Sequence, residues 1–85
     1  VADEPKVTIY TTVWCGFCKM AKSYMDHLGI KYIEKDVEKD QAAGMEAVEK
    51  SGQMGVPVID VGGTIILGFN RPMLDEAFKA HKLTS

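Results

Sequence analysis

Two hydrophobic periods alternate along the chain. From Lys6 to Thr11 the residues are β-prone and apolar and polar positions alternate, the two-residue period of a strand. From about Cys15 to Leu28 the period lengthens. Ala21, Tyr24, Met25 and Leu28 stand at i, i+3, i+4 and i+7, and Gly29 is placed to stop that helix as a left-handed cap. Lys31 to Val37 reads as a second strand. Asp40 reads as the cap of a helix running to about Lys50 and ended by Ser51-Gly52. Val58 to Val61 and Thr64 to Leu67 are short strands joined by Gly62-Gly63, a two-residue loop that accepts positive φ at both positions. Asn70 caps the last helix, because Pro72 fits only a first turn and Phe69 and Leu74 fall at the N′ and N4 positions of a hydrophobic staple. Leu74, Ala77, Phe78 and His81 then share one face. A helical crossover makes the first two strands parallel and the hairpin is antiparallel. The expected architecture is α/β, with a four-stranded mixed sheet flanked by three α-helices.

Length and charge narrow the functions open to such a chain. Eighty-five residues form one small domain, expected to span 1–85 without linker, repeat or low-complexity segment. No apolar run approaches the ~20 residues of a membrane-spanning helix, so a soluble domain is expected. Ten basic and twelve acidic residues are interspersed without a basic stripe, which argues against nucleic-acid binding. Two cysteines are too few for a secreted disulfide scaffold and fit a reducing, cytoplasmic compartment. The first residue is Val rather than Met, so trimming of a preceding segment is expected.

Both cysteines fall in Val13-Trp14-Cys15-Gly16-Phe17-Cys18-Lys19, with two residues between them at a strand-to-helix junction, a spacing that can close a reversible disulfide. Only a thiolate attacks a disulfide, and a free cysteine near pKa 8.5 is mostly protonated at neutral pH. Cys15 sits where unpaired N–H groups and the helix dipole stabilise an anion, whereas Cys18 lies one turn further in. Cys15 is therefore expected to attack and Cys18 to resolve the mixed disulfide. Gly16 leaves room for a substrate, and Phe17 presents an apolar face beside the sulfur. Trp14 either covers the sheet end or forms a substrate-facing wall. Lys19 and Lys22 either add positive charge near the thiols or are plain solvated residues. Half a zinc site is the main competing reading of the cysteines, with His27 and His81 as the remaining soft ligands; no metal is expected. Met20, Met25, Met45, Met54 and Met73 are expected mostly to fill core or edge gaps, Met54 lying near the cysteines.

Three segments carry a family resemblance. Thr11-Thr12-Val13-Trp14-Cys15-Gly16-Phe17-Cys18, then Ser51-Gly52-Gln53-Met54-Gly55-Val56-Pro57, then Gly68-Phe69-Asn70 resemble, in order and spacing, the active-site segments of dithiol glutaredoxins. The resemblance covers about Lys6 to Ala80. It implies a thioredoxin-like fold and a cis Val56-Pro57 bond facing the cysteines. It further implies a thiol–disulfide oxidoreductase, monomeric, with no tightly bound cofactor, glutathione as co-substrate and disulfide-bearing proteins as substrates. Thr12, Trp14, Phe17, Met54, Val56, Pro57, Gly68, Phe69, Asn70 and Arg71 are then the expected glutathione or peptide contacts. Val56 would pair its backbone with a glutathione cysteinyl unit, and the amides from Asn70 onwards would hold a carboxylate.

The departures from that pattern concern the electron donor. Thr12 stands where many dithiol glutaredoxins place a carboxylate-binding lysine, and Phe69-Asn70-Arg71 replaces their Cys-Asp-Asp, putting a cation where an acid would meet the glutathione amino group. Gly68-Phe69-Asn70-Arg71-Pro72 is similar to, but one residue longer than, the Gly-Phe-Arg-Pro of redoxins that take electrons from thioredoxin reductase and serve ribonucleotide reductase. The cysteine segment is also reminiscent of mycoredoxins. Cys-Gly-Phe-Cys further differs only at its last position from the Cys-Gly-Phe-Ser of cluster-binding monothiol glutaredoxins, but an intact second cysteine favours disulfide closure over an iron–sulfur cluster.

Overall fold

The computed structural model describes residues 5–84 and contains the seven expected elements in the expected order: β1 (Val7–Thr11), α1 (Gly16–His27), β2 (Tyr32–Asp36), α2 (Gln41–Ser51), β3 (Val58–Val61), β4 (Thr64–Leu67) and α3 (Arg71–Ala80). The sheet order is β2-β1-β3-β4. Because α1 crosses over between β1 and β2, those strands are parallel, with Val7 opposite Tyr32 and Thr11 opposite Asp36. On its other edge β1 pairs antiparallel with β3, Val7 opposite Val61 and Tyr10 opposite Val58. The β3–β4 hairpin turns at Gly62 and Gly63, with φ of 58° and 103°. Gly62 is fixed twice over: a Cβ there would lie 2.6 Å from His81 Nδ1.

Strand alternation divides the buried residues between the two faces of the sheet. Val7, Ile9, Ile59, Val61 and Ile66 meet Ala21 and Met25 of α1 and Leu74, Ala77 and Phe78 of α3. Tyr10 and Val58 turn the other way and meet Ala43 and Ala47 of α2. α2 also carries a polar brace: Tyr10 donates its hydroxyl to Glu46, Lys35 pairs with Glu46 at 2.9 Å, and Lys50 reaches Asp60 at 2.7 Å and the Tyr10 hydroxyl at 2.8 Å. Burial pulls the Lys50 ammonium down, but its bonds to Asp60 and Tyr10 outweigh that and raise it well above the ordinary lysine value.

Four residues that end or start helices stand where the pattern places them. Asp40 accepts from Ala43 N–H, Asn70 from Met73 N–H, and Gly52 and Gly29 stop α2 and α1 at φ of 73°. Two expectations require correction. Leu28 leaves the apolar face of α1, because the helix ends at His27 and Leu28 becomes an exposed C-cap. The methionines are not mostly gap-fillers, since only Met25 is buried; Met20, Met45, Met54 and Met73 are exposed. No helix among the described residues is long and apolar enough to cross a membrane.

Candidate dithiol site

β1 ends at Thr11, and the chain turns through Val13-Trp14 so that Cys15 N–H reaches Thr12 O at 3.3 Å. Cys15 is thereby left in extended conformation as the N-cap of α1, and its Sγ accepts the Cys18 N–H at 3.0 Å. That is the place of a serine or aspartate oxygen in an ordinary cap, filled here by sulfur. The two cysteines are joined by a disulfide with Cα atoms 5.2 Å apart, inside the usual range. Their exposures differ: Cys18 is 0% exposed and Cys15 half-buried. Trp14 and Phe17 flank Cys15 at 83% and 63% exposure, and nothing stands within 4 Å of a Cβ built at Gly16. Neither aromatic covers the sheet end; both face solvent.

The second segment approaches β3 through Gly55, at φ +140°, and a cis Val56-Pro57 bond with Pro57 buried. Gly68 N–H donates to Pro57 O at 2.9 Å, tying the third segment to the second. Thr12, Met54 and Val56 come together in a cleft of about 630 Å³ whose far wall is α2, with Met45 and Val48 exposed in it. Phe69 and Arg71 line a second groove of about 600 Å³ against α1, with Lys19, Met20 and Tyr24. Trp14, Phe17, Pro57, Gly68 and Asn70 line neither.

Two cations are engaged with other side chains. Arg71 is exposed, but its guanidinium lies 4.5 Å from the centre of the Tyr24 ring. Tyr24 is itself oriented by donating its hydroxyl to Asp75 and by edge-to-face contact with Phe69 at 5.9 Å. Lys22 is committed elsewhere, pairing at 2.8 Å with Glu34, which also accepts from the buried Thr11 hydroxyl at 2.8 Å. The Lys22 hydrogen bond holds the Glu34 carboxyl below its ordinary value. The start of α3 is also thinner as an anion site than expected, since the Asn70 side chain takes the Met73 N–H and Pro72 has none. His81 is placed by the hairpin, 3.2 Å from Thr64 Oγ1, and His27 stands in the last turn of α1. Among the described residues no group of three or more His, Cys, Asp or Glu could hold a metal ion.

The sequence reading missed the α2 wall and the Tyr24 platform. The wall had a signal, because Met45 and Val48 form an i, i+3 pair offset from the small Ala43 and Ala47. The platform had none, since Tyr24 and Arg71 lie on different helices and meet only through packing.

Comparison with known proteins agrees with this geometry. The family model described as glutaredoxin matches residues 7–66. A glutaredoxin-like 8.6 kDa protein in the rubredoxin operon of Clostridium pasteurianum is 37% identical over 82% of this chain and 93% of its own length. Among solved structures, a mutant of the thioredoxin-like protein BC3987 aligns with a TM-score of 0.83 at 25% identity, over 89% of this chain and 97% of that one. The glutaredoxin-like protein NrdH-redoxin from Escherichia coli aligns with a TM-score of 0.73 at 28% identity, over 82% and 91%.

Proposed function

The chain belongs to the glutaredoxin family, and on that premise we propose that it is a dithiol thiol–disulfide oxidoreductase that reduces protein and mixed disulfides, acting as a monomer in the cytoplasm. The observation that carries the proposal is the asymmetry of the pair: Cys15 Sγ is the half-buried N-cap acceptor of α1, while Cys18 is wholly buried. In the reduced protein the Cys18 N–H and the helix dipole favour a thiolate at Cys15. Its sulfur attacks the accessible sulfur of a substrate disulfide; that S–S bond breaks, and the leaving thiolate takes a proton from water. Cys18, deprotonated in turn, attacks Cys15 Sγ. The second substrate thiol departs, and the electron pair lost by the two cysteines has reduced the substrate, leaving the Cys15–Cys18 disulfide. Trp14 and Phe17 offer apolar docking surface around the exposed sulfur, and Val56 a backbone edge for an extended substrate.

The first reading of the reductant is glutathione, with Thr12, Met54, Val56 and Pro57 on one side and Gly68, Phe69, Asn70 and Arg71 on the other as its contacts. A second reading, electron supply by thioredoxin reductase and delivery to ribonucleotide reductase, is favoured by specific observations. Thr12 puts no cation in the 630 Å³ cleft, and the start of α3 has lost two of its amides as anion donors. The test is to offer the oxidised protein glutathione with glutathione reductase, and separately thioredoxin reductase, and measure the rate of NADPH-linked reduction. Turnover with the first system supports glutathione, and turnover with the second alone supports the other donor. Reduction by neither overturns the oxidoreductase proposal.

A further inference from the structure

The 600 Å³ groove between α1 and the start of α3 has a charge that the sulfur-exchange steps at Cys15 and Cys18 do not use. Lys19 and Arg71 line it together with His27, and no carboxylate does, although the chain as a whole carries a net charge of −2. Lys22, Lys35 and Lys50 are held in ion pairs; among the described residues neither Lys19 nor Arg71 is in one. A cation in the first turn of a helix is opposed by the dipole, so Arg71 sits there at some cost to α3. Its guanidinium nevertheless lies over the Tyr24 ring and, among the described residues, makes no hydrogen bond or ion pair, leaving its N–H edges open to an anion. Lys19, Ser23 and His27 follow Cys15 at i+4, i+8 and i+12, one stripe of α1 that leads away from the N-terminal sulfur along the groove.

We propose that this groove receives an acidic segment of the disulfide-bearing protein partner, its carboxylates meeting Lys19 and Arg71 while the partner's cysteine reacts at Cys15. The inference rests on the exchange reaction proposed above and names the class of partner that the same site prefers. At 1.5 Å rise per residue, Lys19 lies about 6 Å and His27 about 18 Å along the helix from Cys15. An extended partner covers about 3.3 Å per residue. The carboxylates therefore belong roughly two to six residues from the reacting cysteine.

The test separates docking from chemistry. Peptides with serine in place of the reacting cysteine, and either Glu or Gln at those positions, are titrated against the oxidised protein at low ionic strength, following Trp14 fluorescence and amide shifts. The Glu peptide is expected to bind about tenfold more tightly, a difference of about 1.4 kcal/mol, as two part-exposed ion pairs would give. Shifts should concentrate at Lys19, Ser23 and Arg71, and the ratio should fall towards one in Lys19→Gln/Arg71→Gln and in high salt. Equal affinity for the Glu and Gln peptides overturns the proposal, as does a preference that survives the double substitution. A dependence on Lys19 and Arg71 seen with glutathione disulfide but not with the peptides overturns it too, assigning the groove to the small thiol. Reduction of a neutral peptide disulfide is measured in parallel: its absence contradicts the exchange reaction, whereas binding alone decides the groove.

Discussion

Replacing Lys50 by Met tests how α2, the far wall of the larger cleft, is held to the sheet. The ammonium lies 2.7 Å from Asp60, 2.8 Å from the Tyr10 hydroxyl and 5.1 Å from the centre of the Tyr10 ring. Its own side chain is about a third exposed, and that of Asp60 is 16% exposed. After substitution Tyr10 still donates to Glu46, and Asp60 still accepts from Gly63 N–H at 2.7 Å. The loss is therefore the charge-assisted bonds to Asp60 and to the Tyr10 hydroxyl, and the unpairing of a partly buried carboxylate. Bonds of that kind contribute about 1.5–3 kcal/mol, and partial exposure of Lys50 places the cost near the lower end, about 2 kcal/mol. For a domain of this size that is roughly 8–16 °C in Tm. The sign of the pH dependence follows from the raised value of Lys50, which its bonds to Asp60 and Tyr10 lift against its own burial. A folded value above the unfolded 10.5 means that the contribution is complete below about pH 10 and is lost as pH rises further. Thermal melts followed by circular dichroism should show a constant gap between wild type and Lys50→Met from about pH 6 to 9, narrowing above pH 10. A Tm difference under about 2 °C, or a gap that widens in alkali, would refute the reasoning.

Two further outcomes follow from the same contacts. Gly62→Ala should cost about 1–3 kcal/mol, from positive φ and from the 2.6 Å approach to His81 Nδ1; adding His81→Ala should restore only the steric part, measured by urea unfolding. Glu34 is held below its ordinary 4.5, chiefly by the Lys22 bond, so its contribution is present above about pH 4.5 and disappears as pH falls through the folded value; Glu34→Gln should flatten the acid limb of the stability curve, and an unchanged limb would count against the Lys22–Glu34–Thr11 cluster.

Local chemistry made the frame legible in the sequence. Asp40, Asn70, Gly29 and Gly52 act within their own turns, so the helix ends could be read without knowing the fold. Gly62-Gly63 fixed the hairpin for the same reason. The cysteine pair was legible because its chemistry depends on a spacing of two residues and a place at a helix start. What escaped depends on distance in sequence. Arg71 on Tyr24, Lys22 on Glu34 and Lys50 on Asp60 each join separate elements, so an isolated cation gave no hint of whether it was paired. The exposed methionines show the limit of composition alone: Met25 fills a core and Met54 stands 84% exposed beside the cleft, with nothing in residue type to separate them.

The division of labour between the cysteines is tested most directly by alkylating the reduced protein with iodoacetamide at pH 6 and mapping the labelled residue over time. A thiol of ordinary pKa 8.5 is only about 0.3% ionised there. The N-cap position of Cys15 and the burial of Cys18 predict labelling at Cys15 at least about tenfold faster, and a Cys18→Ser protein that accumulates as a Cys15 mixed disulfide with substrate. Faster labelling of Cys18, or a stable mixed disulfide formed by Cys15→Ser, would contradict the assignment.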